Sequence, residues 1–379
     1  MPTRRALLSA VCLATAFTLP TQASPGVSDT AIVIGQSSAL SGPAAELGTE
    51  MRQGILAHFA EVNAAGGVHG RSLELVSLDD GYEPDRAAAN TRALIHDHGV
   101  FALLGYVGTP TSQASVPVFT EAEVPFIGAF TGAELLRDPF NRFIFNVRAS
   151  YYQETEKIVD HLVTTGVTRI AVFHQNDSYG QAGLTGVQRA MERRGLPIVA
   201  TATVERNSTD VSEAVRILRE AEPAAIVQIS AYASCAALIK EMRRAMEAPP
   251  QFFNVSFVGS RPLAEALGDD GHGVMISQVV PFPFARVDPV VREYRAAMAA
   301  AGHDVPSFTS MEGYLVAKVL VEGLHRAGPG LDREGLITAL QSIRNHDFGG
   351  FRVNFEEGNH NGSDFVDLTI IGRGGRFMR

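Results

Sequence analysis

Phe101-Ala102-Leu103-Leu104, running into Gly105-Tyr106-Val107-Gly108-Thr109-Pro110-Thr111-Ser112, decides the fold. Apolar residues this few, closed by Gly105, are too short for a buried helix, so they read as a strand covered on both faces. The turn after them opens a helix over 111–121. Outward from this stretch the alternation repeats, with apolar runs at 32–35 and 73–78 ahead of amphipathic segments at 50–65 and 85–96. It then restarts: 169–173 before 181–194, 198–204 before 212–220, and 225–230 before 236–245. This repetition predicts an α/β chain of two doubly wound parallel-sheet lobes. The run 143–147 reads as a strand leaving the first lobe, with 148–152 as the crossing. No Pro/Gly/Ser linker lies there, so the crossing reads as a hinge. Helices at 311–327 and 332–343 and a strand pair at 351–355 and 365–371 complete both lobes.

The amino terminus carries Arg4 and Arg5, an apolar run over 6–19, and then Thr21-Gln22-Ala23. A charged start, a short apolar middle and a small-residue exit read as an export signal over 1–23, cleaved after Ala23, which places the mature chain in the periplasm. Val11 ahead of Cys12 disfavours a lipoprotein site. Removing Arg4 and Arg5, with no acid lost, takes the formal charge from −9 to −11, which excludes a nucleic-acid partner and an anionic membrane surface. Of the two cysteines only Cys235 survives processing, so no intramolecular disulfide forms and packing must supply stability. Without CxxC or Cys/His clusters, no metal site and no cofactor is expected.

The 105–112 turn aims free amides and hydroxyls at the sheet edge where open α/β folds bind ligands, and a carboxylate or phosphate is stabilised by such a helix start. Ordinary N-capping by Thr or Ser is the competing reading. Phe126-Ile127-Gly128-Ala129-Phe130-Thr131-Gly132 ends the next strand at the same edge, so two polar turns converge there. In the second lobe Asn176-Asp177-Ser178-Tyr179-Gly180 occupies the equivalent turn. Tyr179 and Tyr232 are each open to a cleft-lining or a packing role. GxSxG, HExxH and GxxxxGK[ST] patterns are lacking. His96 and His98, two apart at a helix end, point in different directions.

With these turns placed, the chain resembles the periplasmic substrate-binding proteins of the leucine/isoleucine/valine-binding family, which serve ABC importers and share the type I periplasmic-binding fold. The carriers are Leu40-Ser41-Gly42-Pro43 with Gly48, the run Val62-Asn63-Ala64-Ala65-Gly66-Gly67-Val68 with Gly70-Arg71, Asp79-Asp80, Gly105 with Ser112, Val124-Pro125-Phe126-Ile127, and Asp177-Ser178-Tyr179-Gly180. The resemblance implies two lobes with three crossings, near 147–149, 277–279 and 348–350. It assigns 24–147 and about 279–348 to lobe 1, and 148–278 and about 349–379 to lobe 2. Ligand carboxylate would be held by Thr109 or Thr111 with Ser112, and by Ala129, Phe130 and Thr131. Leu47, Tyr179 and Tyr232 would line the cleft.

One departure is chemical. After a strand ending at Phe257-Val258-Gly259 the family commonly presents an acid to a ligand ammonium, whereas this chain has Ser260 and Arg261. Desolvating an ammonium without a carboxylate is costly, so a substitute is needed; Glu46, Asp177 and Glu312 are the candidates. Arg261 turned into the cleft would clamp a second carboxylate, and turned outward would be silent on the ligand. The expected function is therefore capture of a small carboxylated solute, a branched-chain or aliphatic amino acid by family default or an organic acid, by a monomer that delivers it to an inner-membrane ABC permease. A ligand-sensing receptor subunit is the alternative, and an envelope enzyme is disfavoured for want of a nucleophile, base and orienter.

Overall fold

The computed structural model describes residues 24–379, so the export signal at 1–23 lies outside the described residues. The first lobe starts with strand β1 (Ala31–Ser38), helix α1 (Ala45–Ala64), β2 (Ser72–Asp79), α2 (Pro84–His96), β3 (Ala102–Leu104), α3 (Thr109–Glu121), β4 (Phe126–Ile127) and β5 (Ile144–Phe145). Its sheet is parallel throughout, in the order β2-β1-β3-β4-β5. The chain then crosses into α4 (Tyr151–Thr164), β6 (Ile170–Gln175), α5 (Ser178–Glu192), β7 (Thr201–Val204), α6 (Ser212–Ala221), β8 (Ala225–Ile229), α7 (Tyr232–Ala245), β9 (Gln251–Asn254), α8 (Ser260–Leu267) and β10 (Met275–Gln278). It returns through α9 (Pro289–Ala300), α10 (Phe308–Ala327), α11 (Arg333–Gln341) and the small antiparallel pair β11 (His346–Asp347) and β12 (Arg352–Val353). It ends with β13 (Asp367–Ile371) and β14 (Phe377–Met378). The second sheet has the order β14-β13-β10-β9-β8-β6-β7, with the last two strands of the chain antiparallel on one edge.

The apolar runs are strands buried on both faces, and lobe 2 shows why they lack alternation. Ile170, Val172, Val227 and Phe253 pack into the core on the side shared with lobe 1. Their neighbours Ala171, Phe173, Ile226 and Phe252 pack into a second core with Leu218, Leu238 and Leu263 from α6, α7 and α8. Period-two pointing sends successive side chains to opposite cores, so every position must be apolar. Cys235 is buried in that second core.

Three expectations shift. The strand read as ending at Gly259 ends at Asn254, and Ser256–Val258 form one turn of 3-10 helix. The tail strands do not pair with each other: β12 pairs with β11, and β13 with β10 and β14. The third crossing lies later than 348–350, because Phe355 donates its amide to Ile343 O, and Asn361 still bridges Asn146 at the end of lobe 1. The chain changes lobes between Gly362 and Asp367. The crossing expected over 148–152 runs straight into helix α4, which Ser150 and Gln153 start with a reciprocal capping box.

Two constraints place lobe 1. Helices α1 and α10 cross at backbone contact: a Cβ on Gly54 would lie 1.9 Å from Ser310 O, and one on Gly313 2.2 Å from Met51 O. At the end of β2, the Asp79 carboxylate accepts from the amides of Leu40, Ser41 and Gly81 at 2.9, 3.1 and 2.9 Å, and from Ser41 Oγ at 2.5 Å. Burial opposes ionisation there, but these donors and Arg86 outweigh it and hold the carboxyl down at about 2.

Two outcomes follow. Gly54→Ala should destabilise by about 1–3 kcal/mol through overpacking, seen as a lowered urea midpoint; an unchanged midpoint would refute backbone contact. A carboxyl depressed in the folded state contributes stability above its ordinary range that is lost as pH falls toward its folded value. Wild-type stability should therefore drop between about pH 4 and 2 more steeply than that of Asp79→Asn.

Candidate functional site

On the lobe 1 side, the bridge between Val107 and Phe130 extends the β3–β4 pairing and brings the two turns together. Gly108 has φ 99°, and a Cβ there would lie 2.2 Å from Tyr82 Cε2, so only glycine lets the turn pass this ring. Thr109 Oγ1 lies 2.6 Å from Thr131 Oγ1, which in turn donates to the Tyr151 hydroxyl at 3.2 Å. The Thr111 hydroxyl is spent on its own helix turn, donating to Val107 O and Gly108 O. Ser112 Oγ is buried and has no partner.

On the lobe 2 side, Asp177 caps α5 by accepting from the amides of Tyr179 and Gly180. This fixes Tyr179, whose ring centroid lies 4.5 Å from Phe257 and 5.4 Å from Tyr151. Phe257 lies 5.3 Å from Phe130 and 5.9 Å from Tyr82, both of lobe 1. The Tyr82 hydroxyl accepts from Gln175 Nε2 of lobe 2 at 3.3 Å. These rings close a circuit through both lobes, fully buried, and the Tyr179 hydroxyl has no partner within it. An unmet buried hydroxyl costs about 1–3 kcal/mol, so Ser112 and Tyr179 each keep hydrogen-bonding capacity that the protein leaves unused.

Arg148 completes the wall from the hinge, with its guanidinium 5.1 Å from the Phe130 ring and 5.9 Å from that of Tyr151. It pairs with Glu154 of α4 at 3.0 Å, hydrogen-bonds Ser256, and lies 3.5 Å from Glu312 of α10. All three charges are essentially buried. Burial drives Glu312 up to about 7, against the pull of Arg148 and with a push from Glu154. Burial also opposes the charge on Arg148, but Glu312 and Glu154 more than offset it and raise its pKa.

The rim is ionic. Arg206 of lobe 2 reaches Glu83 of lobe 1 at 2.9 Å and Asp177 at 3.3 Å, and Asn207 Nδ2 donates to Glu83 at 2.8 Å. Opposite, Arg261 bonds Glu50 and lies 3.3 Å from Glu46, both on α1. Surface openings of about 570 Å³ beside the hinge, lined by Arg137 and Asn361, and of about 510 Å³ beside α8, lined by Ala264 and Phe377, lie outside this compartment.

Thr109, Ser112, Phe130, Thr131 and Tyr179 are thus brought together. Ala129 is buried beside them, and Leu47 packs across the lobe boundary against Gly259. Tyr232 is half-buried beside Glu46. Ser260 accepts from Gln278, and Arg261 neither clamps a ligand nor points freely to solvent: it binds the opposite lobe. Because β9 stops at Asn254, the residue delivered to the cleft is Phe257. Tyr82, Arg148, Tyr151 and Phe257 were missed. An arginine and a tyrosine in a linker-free crossing were the available clue for two of them.

Among the described residues, no group of three His, Cys, Asp or Glu side chains is placed to hold a metal ion, and no helix is long and apolar enough to cross a membrane.

Known proteins are similar over nearly the whole chain. The family described as periplasmic binding protein matches residues 31–372. A leucine-, isoleucine-, valine-, threonine- and alanine-binding protein of Pseudomonas aeruginosa is 23% identical over 312 residues, 82% of either chain. A solved structure of a possible leucine/isoleucine/valine-binding protein from Rhodopirellula baltica SH 1 is 38% identical with a TM-score of 0.88, covering 92% of this chain and 96% of that one. A substrate-binding periplasmic protein from Ralstonia solanacearum is 34% identical with a TM-score of 0.86, covering 92% and 99%.

Removing one member of a buried ion group strands the others. Arg148→Met should cost about 3–5 kcal/mol in urea unfolding, against about 0–1 kcal/mol for Arg206→Ala at the rim. Equal effects would show that the Arg148 group is solvated.

Proposed function

Because this chain belongs to the periplasmic binding protein family, as a substrate-binding protein of the branched-chain amino acid ABC transporter type, we propose that it captures a small carboxylated solute between its lobes in the periplasm and presents the closed form to an inner-membrane ABC permease. The observation that carries this reading is the aromatic circuit shared by both lobes, with the hydroxyls of Ser112 and Tyr179 buried and unmet. Such a compartment binds rather than transforms. A ligand inside it contacts lobe 1 through Thr109, Ser112, Phe130 and Thr131, and lobe 2 through Tyr179 and Phe257. Its differential affinity for the closed form then shifts the hinge equilibrium. Ligand carboxylate goes to the start of α3, which has no side-chain cap and whose dipole favours an anion. The relatives named for leucine, isoleucine and valine support an aliphatic amino acid, and the ring-lined walls accept a flat apolar body equally well.

The test is a thermal-shift screen of refolded, ligand-stripped mature protein against amino acids, aliphatic and aromatic carboxylates, dicarboxylates and amides. A binding solute should raise the melting temperature and reduce the radius of gyration in X-ray scattering. Ser112→Ala and Tyr179→Phe should each weaken that solute by about 10-fold, the worth of one hydrogen bond in a closed site. A panel in which no solute changes either observable would sink the proposal.

A further inference from the structure

We propose that the opening of about 570 Å³ beside the hinge is a second ligand site, for a small oxyanion of carboxylate or phosphate chemistry, held between the first and third crossings. This site stands apart from the compartment between the lobes and does not rest on the capture reading.

Its walls come from both lobes. Arg137 and Asn359 stand on lobe 1, Ser150 and Gln153 start α4 of lobe 2, and Asn361 and Ser363 lie where the chain passes back to lobe 2. A molecule seated there touches both lobes without entering the cleft. Arg137 ties the two crossings together, because Nη1 donates to Asn361 Oδ1 at 2.7 Å and Nη2 to Arg148 O at 2.9 Å. Both acceptors are neutral. A guanidinium has five N–H donors, and the buried Nε of Arg137 has no partner. Glu134 acts on it only at a distance, with no hydrogen bond. Burial draws the Arg137 pKa down to about 10, with Glu134 opposing the fall and Arg148 adding to it. This is a cation with no counter-ion in contact, and its planar fork suits a carboxylate or phosphate.

The neutral side chains decide the sign of the guest, for their acceptors are spent inside the protein. Asn361 Oδ1 accepts from Arg137 and from Asn146 Nδ2, and Asn359 Oδ1 accepts from the amide and the side chain of Asn361. Gln153 Oε1 accepts from the Ser150 amide, Ser150 Oγ from the Gln153 amide, and Ser363 Oγ from the Phe365 amide. The matching donors are left over: Gln153 Nε2, Asn359 Nδ2 and the two serine hydroxyl protons find no acceptor among the described residues. Donors in excess and acceptors used up call for an acceptor-rich guest. Glu134 and Asp364 also border the opening, matched in number by Arg137 and Arg352. Asp364 and Arg352 are exposed, so water screens them, and the part-buried Arg137 with the free donors sets the preference.

The experiment is calorimetry on refolded, ligand-stripped mature protein at constant ionic strength, titrated separately with inorganic phosphate, citrate and glucose. Phosphate or citrate should bind saturably, and the tighter of the two identifies the source chemistry; glucose should give no binding. In Gln153→Glu the new side chain still accepts from the Ser150 amide, so the capping box is kept, but a spare donor becomes a like charge. The anion should then bind at least about 10-fold more weakly. Arg137→Lys keeps the charge and loses the fork, and should weaken the anion by about 10-fold, the worth of one charge-assisted hydrogen bond. No saturable binding of either anion, or glucose binding as tightly as they do, overturns the inference. Anion affinity unchanged in Gln153→Glu also overturns it, and would place the anion at the start of α3 instead.

Discussion

The guanidinium of Arg148 sits on the first crossing between the lobes, buried, with a carboxylate from each lobe beside it. Glu154 belongs to the first helix of lobe 2 and Glu312 to the helix that returns to pack on lobe 1. The hinge therefore passes through an ion group that water cannot screen, and its geometry is bound to the compartment wall by the rings of Phe130 and Tyr151. A solvated hinge would bend independently of what the cleft contains. Here the first crossing carries a desolvated ion group that also touches the rings of the cleft wall, so a change of angle at this crossing would have to move buried charges.

Magnitudes separate the parts of the closed form. Arg206 is a quarter exposed and its pair with Glu83 contributes about 0–1 kcal/mol, and the Arg261 pair with buried Glu50 loses much of its attraction to desolvation. Moving a two-state hinge from 1:99 to 99:1 takes about 5.5 kcal/mol. The rim cannot supply that. The remainder must come from the buried contacts between the lobes, where ring area is already out of water and the hydroxyls of Ser112 and Tyr179 stay unmet. The ionic rim orients closure and excludes water; the buried contacts decide whether closure persists.

Much of the fold was legible because strands buried on both faces leave unbroken apolar runs, as at Ile170 to Phe173, and because short turns such as Gly105 to Ser112 mark sheet edges. The polar half of the site was legible for the same reason: it lies in those turns. Of the aromatic half, Phe130 and Tyr179 lie in such turns as well, but Tyr82, Tyr151 and Phe257 were not legible. Tyr82 enters through a left-handed turn at φ 64°, set by the Asp80 carboxylate. Phe257 depends on where β9 stops, and apolar Phe257 and Val258 extend the strand pattern past its true end at Asn254. A one-turn 3-10 segment leaves no periodicity to detect. Arg148 and Glu312 are 164 residues apart by their numbers in the chain, and no local pattern announces that a hinge cation and a helix acid will meet.

Cys235 carries a consequence of its own. It is the lone thiol of the described chain, buried in the second core of lobe 2 with the Tyr179 ring near enough to sense its charge, and burial pushes its pKa well up. A reagent reaches that sulfur only when this core opens, because the side chain is fully buried. Modification by a thiol reagent thus clocks the unfolding of lobe 2 alone. The molecule carries a native stopwatch for the integrity of one half.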